Sequence, residues 1–188
     1  NKALNVWIAL NDTINEANNR KYKGYLLGNL NMFPEAKNEI NLAIKLFQLK
    51  NYNYGVAVSQ FDFAQVYKLE NKLDSALFFA NLALKFWKAE GDKKRILIIN
   101  NLLIALYTQS KKYTYAEEIQ LESKEISKLE GMYWMPLIDF YCVSYQLYEQ
   151  TNSSSAETYR TLYNKKKEYL KKQGISANSK YESSIHNK

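Results

Sequence analysis

The sequence predicts an all-α fold: a solenoid of antiparallel helix pairs, about four repeats preceded by a partial unit. Three observations predict it. The first is a set of columns that return every 40 residues: Ala36, Ala76, Ala116 and Ala156; Leu27, Tyr67, Tyr107 and Leu147; and Phe33, Leu73 and Tyr113, with Ser153 a weaker fourth member. Asn11, Asn51, Gly91 and Gly131 share that register, and so, more loosely, do Gly24, Ala64, Ile104 and Ser144. Several columns in one register mark stacked supersecondary units. The second is that apolar residues between the columns recur at helical spacing. The third is a turn signal in the middle and at the end of each period, with nothing that reads as a strand.

The elements follow in order. Residues 1–10 read as the second helix of an incomplete unit, since Ala3 aligns with Ala43 and Ala83, and Trp7 with Phe47 and Trp87. A helix over 13–29 carries Gly24 and Leu27 and ends at a turn around Asn31. The next, 34–50, starts with Pro34, whose missing N–H costs nothing in a first turn. The helix 53–70 places Val58, Phe61, Ala64, Tyr67 and Lys68 at helical spacing, and Asn71-Lys72-Leu73-Asp74 follows as a polar turn with Asp74 as the expected cap. Helix 74–90 has an apolar face of Ala76, Phe79, Ala80, Ala83, Phe86 and Trp87, and stops at Gly91, where a left-handed residue is wanted. Asn is the next best residue there, which accounts for Asn11 and Asn51 in that column. Helix 93–110 holds Leu103, Ile104 and Tyr107; helix 114–130 holds Ala116, Gln120 and Ser123 and ends at Gly131. Helix 134–150 has Pro136 in its first turn, and 154–173 opens on Ala156. The domain reading is thus one repeat domain, 1–173: a partial unit 1–11, repeats of about 12–51, 52–91, 92–131 and 132–173, then 174–188 as a basic tail or the start of a linker.

Composition narrows the chemistry. One Cys excludes an internal disulfide framework, and one His excludes the usual His-rich metal sites. No apolar run approaches the roughly 18 residues of a membrane span. The net charge of +7 is concentrated at the end, where residues 157–188 hold eight basic and three acidic side chains. That pattern reads either as contact with an anionic partner or as a solvated terminal helix, and charge patterning favours the second. His186 lies in the tail, where a positioned base is hard to build, and Cys142 sits mid-helix among Phe140, Tyr141 and Val143 as a core thiol. Glu117 and Glu118 are adjacent on a helix and point apart. No phosphate-cradling glycine loop and no metal-ligand spacing occurs. The expectation is a protein that is not an enzyme, with no cofactor and no metal.

The columns resemble the tetratricopeptide repeat over roughly residues 1–170. The second unit carries the pattern best, with Phe63, Ala64, Tyr67, Asn71, Leu73, Ala76, Ala80 and Ala83; the first reads Gly24, Leu27, Asn31, Phe33, Ala36, Ile40 and Ala43. The third reads Leu103, Ile104, Tyr107, Lys111, Tyr113, Ala116, Gln120 and Ser123, and the fourth keeps Leu147 and Ala156. The period of 40 exceeds that family's usual 34. HEAT-type repeats are nearer in length, but the nine-residue step from Tyr67 to Ala76 favours the tetratricopeptide reading. Glu90-Gly91-Asp92 is similar to the subgroup whose inter-repeat link starts Gly-Asp, and the Asn-, Lys-, Ile- and Tyr-rich composition resembles the sensor regions of Bacteroidetes signalling proteins.

The resemblance implies a right-handed superhelix whose first helices line a concave groove. It places three columns there: Lys21, Phe61, Asn101 and Tyr141; Tyr25, Gln65, Ala105 and Tyr145; Gly28, Lys68, Thr108 and Tyr148. Aromatic anchors mixed with amide and ammonium donors suit a peptide or a partner helix. For Tyr141, Tyr145 and Tyr148 the i, i+4, i+7 spacing fits equally a groove stripe and a core stripe against the C-terminal helix. The family's carboxylate clamp is not met: its positions fall on Lys21, Tyr25, Asp62, Ile98 and Leu102, and only Lys21 matches. Lys93-Lys94-Arg95 and Lys165-Lys166-Lys167 do not line up along the groove, which disfavours single-stranded nucleic acid.

The functional expectation is a non-catalytic protein- or peptide-binding module, the sensory or scaffolding part of a larger bacterial signalling or regulatory protein. The alternative is a stand-alone cytoplasmic peptide-responsive regulator or adaptor. Membrane contact would come only through segments outside this chain, a homodimer would cover the apolar end of the array, and the compartment stays open between periplasm and cytoplasm.

Overall fold

A computed structural model describes residues 12–129, 131 and 134–175. The described residues form eight α-helices and no strand: α1 (Thr13–Asn29), α2 (Phe33–Leu49), α3 (Asn53–Leu69), α4 (Leu73–Glu90), α5 (Lys93–Gln109), α6 (Tyr113–Ser127), α7 (Trp134–Gln150) and α8 (Ser155–Lys172). Consecutive helices pair, as an all-α repeat array requires. The partial unit over residues 1–11 and most of the tail over 174–188 lie outside the described residues.

The chain divides into two compact units, residues 1–89 and 90–188. In the first, α1 packs on α2, α2 on α3, and α1 on α3. In the second, α5 packs on α6, α7 on α8, and α5 on α7, with α6 touching α7. The same plan therefore recurs in both: first helices of neighbouring repeats lie side by side.

The repeat columns mark the closest contacts. Ala36, Ala76 and Ala116 are fully buried, as are Ala64 and Ile104 of the looser column. Small residues let helices approach, and the large ones around them fill the remaining space. The second unit replaces two of these apolar positions by polar ones. Ser123, in register with Ala43 and Ala83, satisfies its hydroxyl by donating to Ile119 O at 2.8 Å. Gln120, in register with Ile40 and Ala80, is buried and fully engaged in a network described below.

The turns are finer-grained than the 40-residue period. Left-handed backbone occurs at Asn31, Asn51, Asn71, Gly91, Lys111 and Gly131, every 20 residues. At Asn31, Asn51, Asn71 and Lys111 the closure is the same. The N–H of that residue donates to the carbonyl three back, and the next N–H donates to the carbonyl five back. Asn71 N to Lys68 O (3.0 Å) and Lys72 N to Tyr67 O (2.9 Å) are one such pair. These bonds satisfy carbonyls that a helix end otherwise leaves unpaired.

One expectation is corrected here. Asp74 does not cap α4: the helix begins at Leu73, so Asp74 lies within its first turn, where it complements the positive helix end. Side-chain capping is done by Asp12 and Asp92, the second directly after left-handed Gly91. Asp12 Oδ1 accepts from Asn15 N at 3.2 Å, and Asp92 Oδ1 from Arg95 N at 3.0 Å.

Lys111 is the one residue of the six that is neither Asn nor Gly, at φ 57°. Its Cβ carries the left-handed penalty without a compensating local hydrogen bond. Lys111→Gly is expected to stabilise the fold by about 0.5–1 kcal/mol. Gly91→Val should do the opposite, and through the backbone alone, because a Cβ on Gly91 meets nothing within 4 Å. Urea titrations of the two variants check both signs.

Candidate functional site

In the first unit, Lys21 and Tyr25 on α1 and Phe61, Gln65 and Lys68 on α3 are all half-buried, as side chains on a partly open face are. α1 and α3 pack together, so the two rows belong to neighbouring helices. Gly28 is different. It is buried, and a Cβ there would stand 2.7 Å from Val66 Cγ2, so it makes the contact between α1 and α3 and does not line an opening.

The second unit treats the expected columns differently. Asn101 is fully buried and donates through Nδ2 to Pro136 O of α7 at 2.9 Å; it joins two helices and is withdrawn from the row of half-buried residues. Its Oδ1, both amide atoms of the adjacent buried Asn100, and Thr108 Oγ1 have no hydrogen-bond partner among the described residues. Ala105 and Thr108 are half-buried on the same helix.

Of the tyrosines on α7, Tyr145 is buried, as the core reading expects, and Tyr148 is half-buried and packs on α8. Tyr145 is 8% exposed, donates to Glu149 Oε1 at 2.8 Å, and has the Arg160 guanidinium of α8 at 5.7 Å from its ring centroid. Tyr148 stacks on Tyr159 of α8, with centroids 5.5 Å apart, and its hydroxyl donates to Gln120 Oε1 at 2.9 Å. Gln120 Nε2 in turn donates to Tyr159 Oη at 2.7 Å and to Ser144 Oγ at 3.4 Å. Tyr141 is half-buried beside Phe140. Burial is the first cause that raises the phenols of Tyr141, Tyr145, Tyr148 and Tyr159 above their ordinary range. These groups tie α6, α7 and α8 together, and a buried network of this kind specifies one packing when every member is satisfied.

Cys142 is fully buried within α7, with Gln146 Nε2 3.7 Å from its sulfur. His186 lies outside the described residues. Among the described residues, no three His, Cys, Asp or Glu side chains are grouped to hold a metal ion, and no helix is long and apolar enough to cross a membrane.

A feature absent from the expected columns is a cleft of about 500 Å³ in the first unit. One wall is α2, with Lys37, Asn38, Asn41 and Ile44; the other is α3, with Gln60, Phe63 and Tyr67; Phe79 of α4 completes it. Phe63 and Phe79 stack at 4.8 Å, and Tyr67 lies nearly parallel to Phe79 (8°) at 5.5 Å. Lys37 Nζ stands 5.2 Å from the Tyr67 centroid and donates to both carboxylate oxygens of Glu70, at 2.8 and 3.0 Å. Lys72 Nζ donates to the same carboxylate at 2.9 Å.

The signal for this cleft was a departure from the repeat. One period before Phe63 and Phe79 stand Lys23 and Glu39, which form an ion pair between α1 and α2. Arg20 joins it, with Nη1 3.1 Å from Glu39 Oε2 and Nε 2.9 Å from Glu16 Oε1. The first repeat thus closes this position with charges, and the second with stacked rings.

The bonds from Lys37, and then Lys72, hold the Glu70 carboxyl below its ordinary range. A depressed folded-state value means this stabilisation is present above the unfolded value and is lost as pH falls below it. Glu70→Gln is therefore expected to lower stability at neutral pH, and the gap to wild type should close below about pH 4. Urea midpoints measured across that range check it.

Comparison with models of known protein families gives no match to this chain, and no curated protein matches it in sequence.

Proposed function

We propose that this chain is a non-catalytic protein- or peptide-binding module of tetratricopeptide type, and the sensory or scaffolding part of a larger bacterial signalling protein. The observation that carries the reading is the pair of half-buried rows on adjacent first helices, Lys21 and Tyr25 on α1 with Phe61, Gln65 and Lys68 on α3. Rings supply apolar contact area, while amide and ammonium groups can bond a partner's main-chain carbonyls. The rows stand on rigid helices, so little ordering is needed on binding.

The test is selection from a phage-displayed library of random heptapeptides against the chain, then titration of the enriched peptides. The expected result is a class of peptides whose affinity falls at least ten-fold in a Lys21→Ala/Gln65→Ala double variant that melts like the wild type. Peptides indifferent to that double variant would count against the α1–α3 face, and a turnover reaction by the isolated chain would overturn the non-catalytic reading.

A further inference from the structure

The cleft between α2, α3 and α4 lies apart from the α1–α3 rows, and its chemistry is specific. Asn38 and Asn41 are exposed one turn apart on α2, and Gln60 faces the same cleft from α3. Among the described residues none of these three amides has a hydrogen-bond partner. Each offers a donor and an acceptor together, which is what a peptide group, itself one N–H and one C=O, requires.

Charge sets a second limit. The one cation on the wall, Lys37, is already held by both oxygens of Glu70, and the remaining lining residues are neutral. An ionised occupant would lose water here without gaining an unspent counter-charge, so an uncharged one is favoured. The rings set a third. Tyr67 has Lys37 over its ring and Phe79 nearly parallel beside it; Phe79 also stacks on Phe63, which is only 6% exposed. A flat sugar face needs an open ring face, and these are largely taken by one another. What is left is an apolar recess beside Phe79 and Ile44, both partly exposed at the edge of the buried cluster. Such a recess accepts a branched or aromatic side chain. The recess is about 500 Å³ and open to solvent along its length, as a site for an extended chain must be.

We propose that this cleft is a second binding site, which seats an uncharged extended peptide segment of a partner protein. An apolar side chain packs on Ile44 and Phe79, and the main chain bonds to the amides of Asn38, Asn41 and Gln60. The site shares α3 with the first proposal but uses other residues of it, Gln60, Phe63 and Tyr67 in place of Phe61, Gln65 and Lys68, and it stands or falls without it.

The experiment uses the same selected heptapeptides, synthesised with blocked termini, and an Asn38→Ala/Asn41→Ala double variant. Both residues are exposed, so the variant keeps the fold. The expected result is a class of peptides with a central apolar residue and no charge. Its affinity falls at least ten-fold in the Asn38/Asn41 variant and less than two-fold in the Lys21/Gln65 variant. If every peptide responds only to the Lys21/Gln65 variant, this site is wrong and the α1–α3 face stands; if the reverse holds, the α1–α3 face falls and this site stands. No peptide responding to Asn38/Asn41 overturns the proposal. So does saturable binding of cellobiose that shifts the Asn38 and Asn41 amide resonances, or enrichment here of charged peptides alone.

Discussion

Phe47→Ala should cost about 3–5 kcal/mol of folding stability. The ring is fully buried with Ala17 of α1 and Ala43 of its own helix, and half-buried Leu46 and Val56 pack against them. It also covers Gly55 of α3: a Cβ there would stand 2.5 Å from Phe47 Cδ1. The ring of Tyr52, in the link before α3, is 5.6 Å away. Part of the wall around Phe47 is alanine and glycine, which cannot swing in to fill the hole. Truncation leaves a cavity, and the cost lies at the upper end for that reason. Leu49, two residues on, is 73% exposed, and Leu49→Ala should change stability by no more than about 0.5 kcal/mol. Urea denaturation of the two variants checks the contrast; similar midpoints would mean that the ring does not seal α1, α2 and α3 together.

The residues that predicted the fold did so through spacing, and spacing is a property of backbone and volume. Ala36, Ala76 and Ala116 recur because only a small side chain fits a close helix crossing, and all three are fully buried. Asn51, Gly91 and Gly131 recur because a left-handed residue ends the helix, and each has positive φ. The helix ends fall within a few residues of those read from the sequence, for the same reason.

Side-chain environment was less legible, because periodicity gives the face of one helix and not the neighbour that covers it. Asn101 reads as a groove donor and is instead a buried link to Pro136. Tyr145 and Tyr148 show a spacing compatible with two surroundings, and α8 decides between them. Asp74 reads as a cap but lies two residues past the cap position, because the left-handed residue of that turn, Asn71, places Lys72 directly before the helix. The cleft was hidden for the opposite reason. Phe63 and Phe79 fit columns that stay apolar in the later repeats, at Leu103 and Val143 and at Ile119 and Tyr159; the departure is in the first repeat, at Lys23 and Glu39, and a search for what recurs passes over what differs.

Gly24→Val should destabilise the chain by about 3 kcal/mol, and this prediction connects the packing of the first hairpin to its proposed surface. Gly24 lies where α1 meets α2. A Cβ there would stand 2.5 Å from Ile40 Cγ1, 2.9 Å from Ala36 O and 3.2 Å from Ile40 N. The first of these contacts could yield by a rotamer change, but the other two are backbone, so relief requires the helices to separate. Helix propensity alone would favour replacing glycine by about 1 kcal/mol for alanine, so a net loss isolates the steric term. In a double-mutant cycle Ile40→Ala, which itself empties a fully buried site, should relieve only part of the steric loss, since it removes the Cγ1 contact and leaves Ala36 O in place. Lys21 and Tyr25 flank Gly24 on α1. Any separation that accommodates the valine must carry those two side chains with it relative to α2. Peptides that depend on Lys21 and Gln65 should therefore bind the folded Gly24→Val protein more weakly than wild type. Equal affinity would show that the row on α1 is not part of the binding face, even if the stability loss is as large as the contacts demand.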